Sequence, residues 1–169
     1  PKHTRRILRR RKEKDFMAKD DGPQVQTAEH VLNQTMIRMF GSGRCFSSHL
    51  NPGKSKCDYH FGRDLSADEA AALERAVNGV LELDLPVLER NVPRREAEKL
   101  VDLSKLPATV GPEDPIRLVT VGDYAICPCI GAHVSSTGEA GRFRLISHDL
   151  IEGRDKEPVL RLRFRLEGR

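Results

Sequence analysis

Two short pieces of the chain, Gln26-Thr27-Ala28-Glu29-His30 and Cys129-Ile130-Gly131-Ala132-His133, each place metal-binding side-chain types four positions apart. Zinc accepts thiolate sulfur and imidazole nitrogen in one coordination sphere, so the two pieces look like halves of a single metal site. Cys-x3-His with Gly131 inside suits a strand that breaks into a loop and turns two side chains onto one ion. Cys127 shares a strand face with Cys129 and could serve as a spare ligand. Each half also has an ordinary explanation: His30 as an incidental histidine on a surface helix, and Cys129 as a small buried apolar residue.

These residues need elements to position them. From Gln24 to Phe40 the residues Val25, Ala28, Val31, Leu32, Thr35, Met36 and Met39 recur at helical spacing, and Gly41-Ser42-Gly43 ends the pattern. Gln26 and His30 project from one face of this helix, continued by Asn33 and Ile37, roughly opposite the apolar stripe. That line is expected to face solvent or a polar cleft, with Glu29 on a solvated flank. Strands are expected over 44–50 and 56–61, joined by a hairpin turn at 51–54. Ser66 with Glu69 forms a capping box opening a second helix to about Glu82. A strand over 85–91 follows, then a minor helix from Pro93 through Leu100 and a proline-containing connection to Pro115. Strands over 116–121, 123–127, 143–147 and 159–166 complete the chain, and Cys129 follows the second of these. This order implies an α+β fold, a two-layer sandwich of mainly antiparallel sheet and helices.

The 169 residues, 38% of them hydrophobic, fit one domain able to bury a continuous core. Four scattered cysteines and the lack of a long apolar run point to a reducing, cytoplasmic setting with no membrane partner. The net charge of +4 hides an asymmetry, since residues 1–14 carry eight Lys or Arg against Glu13 alone and the remainder is acidic by 3. The chain therefore divides into a basic arm, 1–21, and a domain, 22–169. Arg5, Arg6, Arg9, Arg10, Arg11 and Lys12 could neutralise RNA phosphates, or serve only as a solubilising terminus. The acidic residues that follow at once disfavour an organellar presequence.

The stretch Val121-Gly122-Asp123-Tyr124-Ala125-Ile126-Cys127-Pro128-Cys129-Ile130-Gly131-Ala132-His133-Val134, continued by Thr137-Gly138-Glu139-Ala140-Gly141-Arg142-Phe143, resembles the editing-domain signature of alanyl-tRNA synthetases. Gln26-Thr27-Ala28-Glu29-His30-Val31-Leu32 resembles the family's partner motif, in which His stands where this chain has Gln26. Cys57-Asp58-Tyr59-His60-Phe61 and Leu85-Pro86-Val87 fall where the family has strands, so the likeness spans about residues 22–150. It implies the editing-domain fold of the threonyl- and alanyl-tRNA synthetases. It further implies a free-standing AlaX-like protein of the short form, a hydrolase that cleaves the ester of mischarged tRNA. Serine or glycine on the tRNA for alanine is the expected substrate. The family's zinc ligands map onto Gln26, His30, Cys129 and His133; the tRNA acceptor end is the implied partner, and no nucleotide cofactor is expected.

Three departures qualify what the likeness implies. Gln26 offers a neutral amide oxygen, a weaker zinc ligand than imidazole, which leaves His30, Cys129 and His133 as a three-ligand site with an open position for water. Gln26 and Cys127 compete for the fourth place. Ile130 and Ala132 stand where the family has Gly and Thr, making the loop bulkier and less polar, and the stretch 97–115 does not match the family's usual connection. Within this chemistry His30 and Thr27 are the candidate catalytic residues. Thr27 would recognise a serine hydroxyl, or else bond back to its own backbone; Glu29 is a weaker candidate base. Arg44 and Lys54, with the basic arm, are the expected phosphate contacts. The alternatives are a non-catalytic RNA-binding module that keeps the fold without the metal, and a hydrolase of small aminoacyl esters that uses no tRNA.

Overall fold

The computed structural model describes residues 22–51, 53–107 and 109–168, so the basic arm lies outside the described residues. Helix α1 spans Pro23–Phe40. Proline opens it, and Gly41 closes it in the left-handed region at φ 64°, donating its N–H to the Ile37 carbonyl. Strands β1 (Ser47–His49) and β2 (Ser55–His60) form the expected hairpin. Helix α2, Ala67–Glu82, starts at the Ser66–Glu69 capping box, whose carboxylate is also gripped by Arg63. Strand β3 (Val87–Pro93), a single turn α3 (Arg94–Ala97), β4 (Pro115–Val121) and β5 (Ala125–Pro128) follow. A 3-10 turn at Thr137–Ala140 leads into β6 (Arg142–Glu152), and β7 (Pro158–Glu167) ends the described chain.

The strands form two antiparallel sheets, one of four strands in the order β1-β2-β7-β6 and one of three in the order β3-β4-β5. The α+β arrangement thus holds, with the strands divided between two sheets. Alternation along β7 turns Leu160, Leu162 and Phe164 inward and Arg161 and Arg163 outward, where Arg161 makes a two-pronged ion pair with Asp58 of β2. The core joins Val25, Val31, Leu32 and Met36 of α1 to Leu73, Val77 and Leu81 of α2, over Tyr59, Phe143 and the inner face of β7. Leu103, Ile116 and Leu118 with Ala97 form a smaller cluster beneath the 94–110 segment. Among the described residues no helix is long and apolar enough to cross a membrane.

Besides the minor helix, which is the single turn Arg94–Ala97 and does not reach Leu100, three expectations change in detail. Strand β1 is shorter than 44–50 because Cys45, just ahead of it, donates its N–H to the Asn33 side chain of α1 instead of to a strand partner. Strand β6 runs on to Glu152, since a register shift between Leu145 and Ser147 lets pairing with β7 continue after the alternation is broken. The third concerns α1, which is buried almost all round: His30 is 3% exposed, Asn33 2% and Glu29 9%. The polar line of the helix therefore faces protein, and Glu29 is not on a solvated flank. Its carboxylate accepts hydrogen bonds from Asn33 and from the Cys45 thiol, both at 3.3 Å. Among the described residues no buried side-chain nitrogen or oxygen lacks a hydrogen-bond partner.

Candidate metal centre

Strand β5 ends at Pro128, and the chain then passes under the first turns of α1. Two fixings hold this loop. At its start Arg117 of β4 donates from one guanidinium nitrogen to the carbonyls of Cys129 at 2.7 Å and Gly131 at 2.8 Å, and its other terminal nitrogen pairs with Glu89 of β3. At its end Ser136 and Glu139 form a capping box on the 3-10 turn, and Thr137, fully buried, ties that turn to the Leu85 N–H and the Leu81 carbonyl. An arginine in the central strand of a three-stranded sheet is the only signal of the first fixing that the sequence carries, and its meaning depends on the path of the loop.

Between these fixings His30, Cys129 and His133 come together, with one ligand atom of each within 4.8 Å of the others. His133 points Nε2 toward Cys129 Sγ at 3.4 Å, while its Nδ1 shares a hydrogen bond of 3.0 Å with Thr27 Oγ1. Thr27 is fully buried, and its oxygen also accepts the Val134 N–H. The Cys127 sulfur lies against the ring of His30, 3.0 Å from Nδ1 and 3.5 Å from Nε2. Cys127 thus bonds one member of the group without belonging to it. Gln26 lies beside the group with Oε1 3.9 Å from Cys129 Sγ, and its amide rests against Gly131. Arg44 and Lys54 are both exposed, Arg44 close enough for its charge to act on His30.

The electrostatics keep both imidazoles neutral. Burial, then the charges of His133, Arg44 and Arg117, hold His30 well below its ordinary value, and burial with Arg117 holds His133 down to about 4. Both rings are therefore neutral at pH 7, the form that ligates. Burial raises the Cys129 thiol, opposed by the Gly131 N–H that donates to its sulfur at 3.3 Å. Two imidazoles and a thiol, with His133 held by Thr27 on the nitrogen that faces away from Cys129, fit a zinc-class ion in ligand type and number.

The same region carries the likeness to known proteins. Residues 116–161 match the family described as the threonyl and alanyl tRNA synthetase second additional domain. An alanine–tRNA ligase of Aeropyrum pernix is 34% identical over 139 residues, covering 82% of this chain and 15% of that protein. One from Methanopyrus kandleri is 30% identical with the same coverage. The chain is related to the editing-domain region of alanyl-tRNA synthetases. A third relative, the alanine–tRNA ligase of Frankia casuarinae, is 33% identical over 126 residues, 74% of this chain and 14% of its own length. This editing-domain relative therefore spans only about a seventh of the length of the curated ligases it matches. The matched family segment contains β4, β5, the Cys129–His133 loop and β6, the part of the fold that supplies two of the three clustered side chains.

Proposed function

We propose that this chain is an aminoacyl-tRNA deacylase acting in trans, which hydrolyses the ester of tRNA for alanine mischarged with serine or glycine. The observation that carries the reading is the convergence of His30 of α1 with Cys129 and His133, the last two lying in the matched family segment. The proposed ligands are these three, with Gln26 contributing at most a weak fourth. Bound zinc would supply Lewis acidity and lower the pKa of its water. Water adds to the ester carbonyl carbon, the bond to the ribose oxygen breaks, and that oxygen takes up a proton.

The chain's own residues prepare this reaction. Thr27 bonds Nδ1 of His133 and leaves its Nε2 toward Cys129, while Cys127 packs its sulfur against the ring of His30. With its oxygen committed to His133 and Val134, Thr27 is better supported as a positioning residue than as the group that recognises a serine hydroxyl. Arg117 holds the loop backbone. Ile130, 63% exposed, presents an apolar side chain from the loop where an acceptor end could contact it. Exposed Arg44 and Lys54 are the proposed phosphate contacts in the described domain.

The test is hydrolysis of serine-, glycine- and alanine-charged tRNA for alanine, with and without chelator and with His30→Ala. Preferential, chelator-sensitive release of serine or glycine, lost in His30→Ala, is expected. No turnover of any charged tRNA by zinc-loaded protein overturns the reading. A non-catalytic RNA-binding module is the second reading, favoured by Gln26 standing where an imidazole would strengthen the metal site. It requires tRNA binding without turnover.

A further inference from the structure

Beside the proposed catalytic centre lies a second group of ligating side chains that the deacylase reading does not use. Glu29 projects from α1, Cys45 from the segment before β1, and Cys57 from the middle of β2; one ligand atom of each lies within 4.8 Å of the others. All four described cysteines are free, Cys57 is fully buried and Cys45 is half-buried. We propose that Glu29, Cys45 and Cys57 form a second metal site, taking a thiophilic divalent cation of the zinc class.

The surroundings are built as the outer shell of such a site is built. Asn33 donates to the Glu29 carboxylate at 3.3 Å, while its own oxygen accepts the Tyr59 hydroxyl at 2.7 Å and the Cys45 N–H at 3.1 Å. One amide thus orients a ligand from the helix and the backbone of a ligand from the loop. Tyr59, fully buried on the same strand face as Cys57, closes the inner side. Half-buried Cys45 leaves the outer side open for entry. Tetrahedral zinc–sulfur bonds of about 2.3 Å place neighbouring ligands about 3.8 Å apart, so rotamer adjustments of about 1 Å close the group on an ion. Sulfur ligands exclude magnesium and calcium as the natural occupant. Binding releases the two thiol protons, and the carboxylate completes a set of three anionic ligands around the dication.

This inference is independent of the deacylase reading. The test loads reduced, chelator-stripped full chain with Cd²⁺, counting bound metal and following thiolate-to-metal ultraviolet absorption. Two equivalents per chain are expected. Cys45→Ser and Glu29→Gln should each remove one equivalent, and Cys129→Ser should leave the second site loaded. Far-UV circular dichroism confirms that each variant is folded; Cys45→Ser serves as the decisive variant because Cys45 is half-buried and serine keeps a hydroxyl for Glu29. A single equivalent that Cys129→Ser abolishes and Cys45→Ser leaves intact overturns the proposal. Loss of deacylation without loss of Cys45-dependent binding bears only on the first centre.

Discussion

Gly131 and Gln26 are in direct opposition: a methyl group added at Gly131 would sit 2.8 Å from the Gln26 side-chain Cδ and Oε1. The glycine in the Cys-x3-His loop is thus the space that the Gln26 amide occupies beside Cys129. Gly131→Ala should cost less than about 1 kcal/mol of stability, because a flexible amide can swing away, unlike a packed core. It should nevertheless reproduce the effect of Gln26→Ala on zinc affinity, and the double variant should add nothing further. Calorimetric titration with zinc checks this. An affinity that Gln26→Ala changes and Gly131→Ala does not would break the link.

Arg117 supports the loop from the other side. Replacing it by Met removes hydrogen bonds to the carbonyls of Cys129 and Gly131 and the pairing with Glu89. Loss of about 2 kcal/mol is expected for charge-assisted bonds to partly buried acceptors. Removing the cation should also raise the pKa of His133, which Arg117 helps to hold down. Urea denaturation and an NMR titration of the imidazole give the two readouts, and an unmoved His133 titration contradicts the assigned electrostatics.

Thr27 separates two roles for one hydroxyl. If it positions His133, Thr27→Val should weaken zinc binding by about 10–100-fold, the usual consequence of losing a partner behind a ligand. Thr27→Ser should restore binding, since serine keeps the oxygen 3.0 Å from Nδ1. Unchanged zinc affinity in Thr27→Val, with discrimination between serine and alanine lost, would return Thr27 to substrate recognition.

Much of the framework was legible because its signals are local. The capping box at Ser66 and Glu69, the glycine stop at Gly41 and the alternation along β7 each need only neighbouring residues to be read. That His30, Cys129 and His133 come together was also legible, from residue type and spacing joined to the family resemblance. Glu29 was misread because an acidic residue on a helix flank signals solvent, and only the tertiary placement of Cys45 and Asn33 gives it buried partners. The long β6 was hidden because the irregularity between Leu145 and Ser147 interrupts the two-residue period. Arg117 was missed because its partners are loop carbonyls, which no side-chain pattern announces.

The pH dependence of the metal-free protein follows from burial of neutral groups. His133 is held down to about 4 and His30 well below 6.5, so below about 6.5 the unfolded chain binds protons that the folded chain refuses. Stability should therefore fall as pH drops from 6.5 toward 4. At the alkaline end burial pushes the Cys127 thiol from 9.0 up to about 12, so the unfolded chain releases that proton first. Stability should fall again as pH climbs from about 9 toward 12. Urea midpoints measured in chelator across this range test both limbs. A flat acid limb would mean that the two imidazoles are not held neutral.

Gln26→His asks whether the fourth place faces the ion. Residue 26 lies one helical turn before His30 on the same face of α1, and its side chain already reaches to 3.9 Å from Cys129 Sγ. An imidazole there would replace a neutral amide oxygen by a nitrogen that zinc prefers. Zinc affinity should rise by at least about tenfold, or ~1.4 kcal/mol. The gain should be smaller when Gly131→Ala is also present, because the methyl group intrudes on the same space. Equal affinity in Gln26→His and the parent chain, both folded, would mean that residue 26 cannot reach the ion and that the site is completed by water or substrate alone.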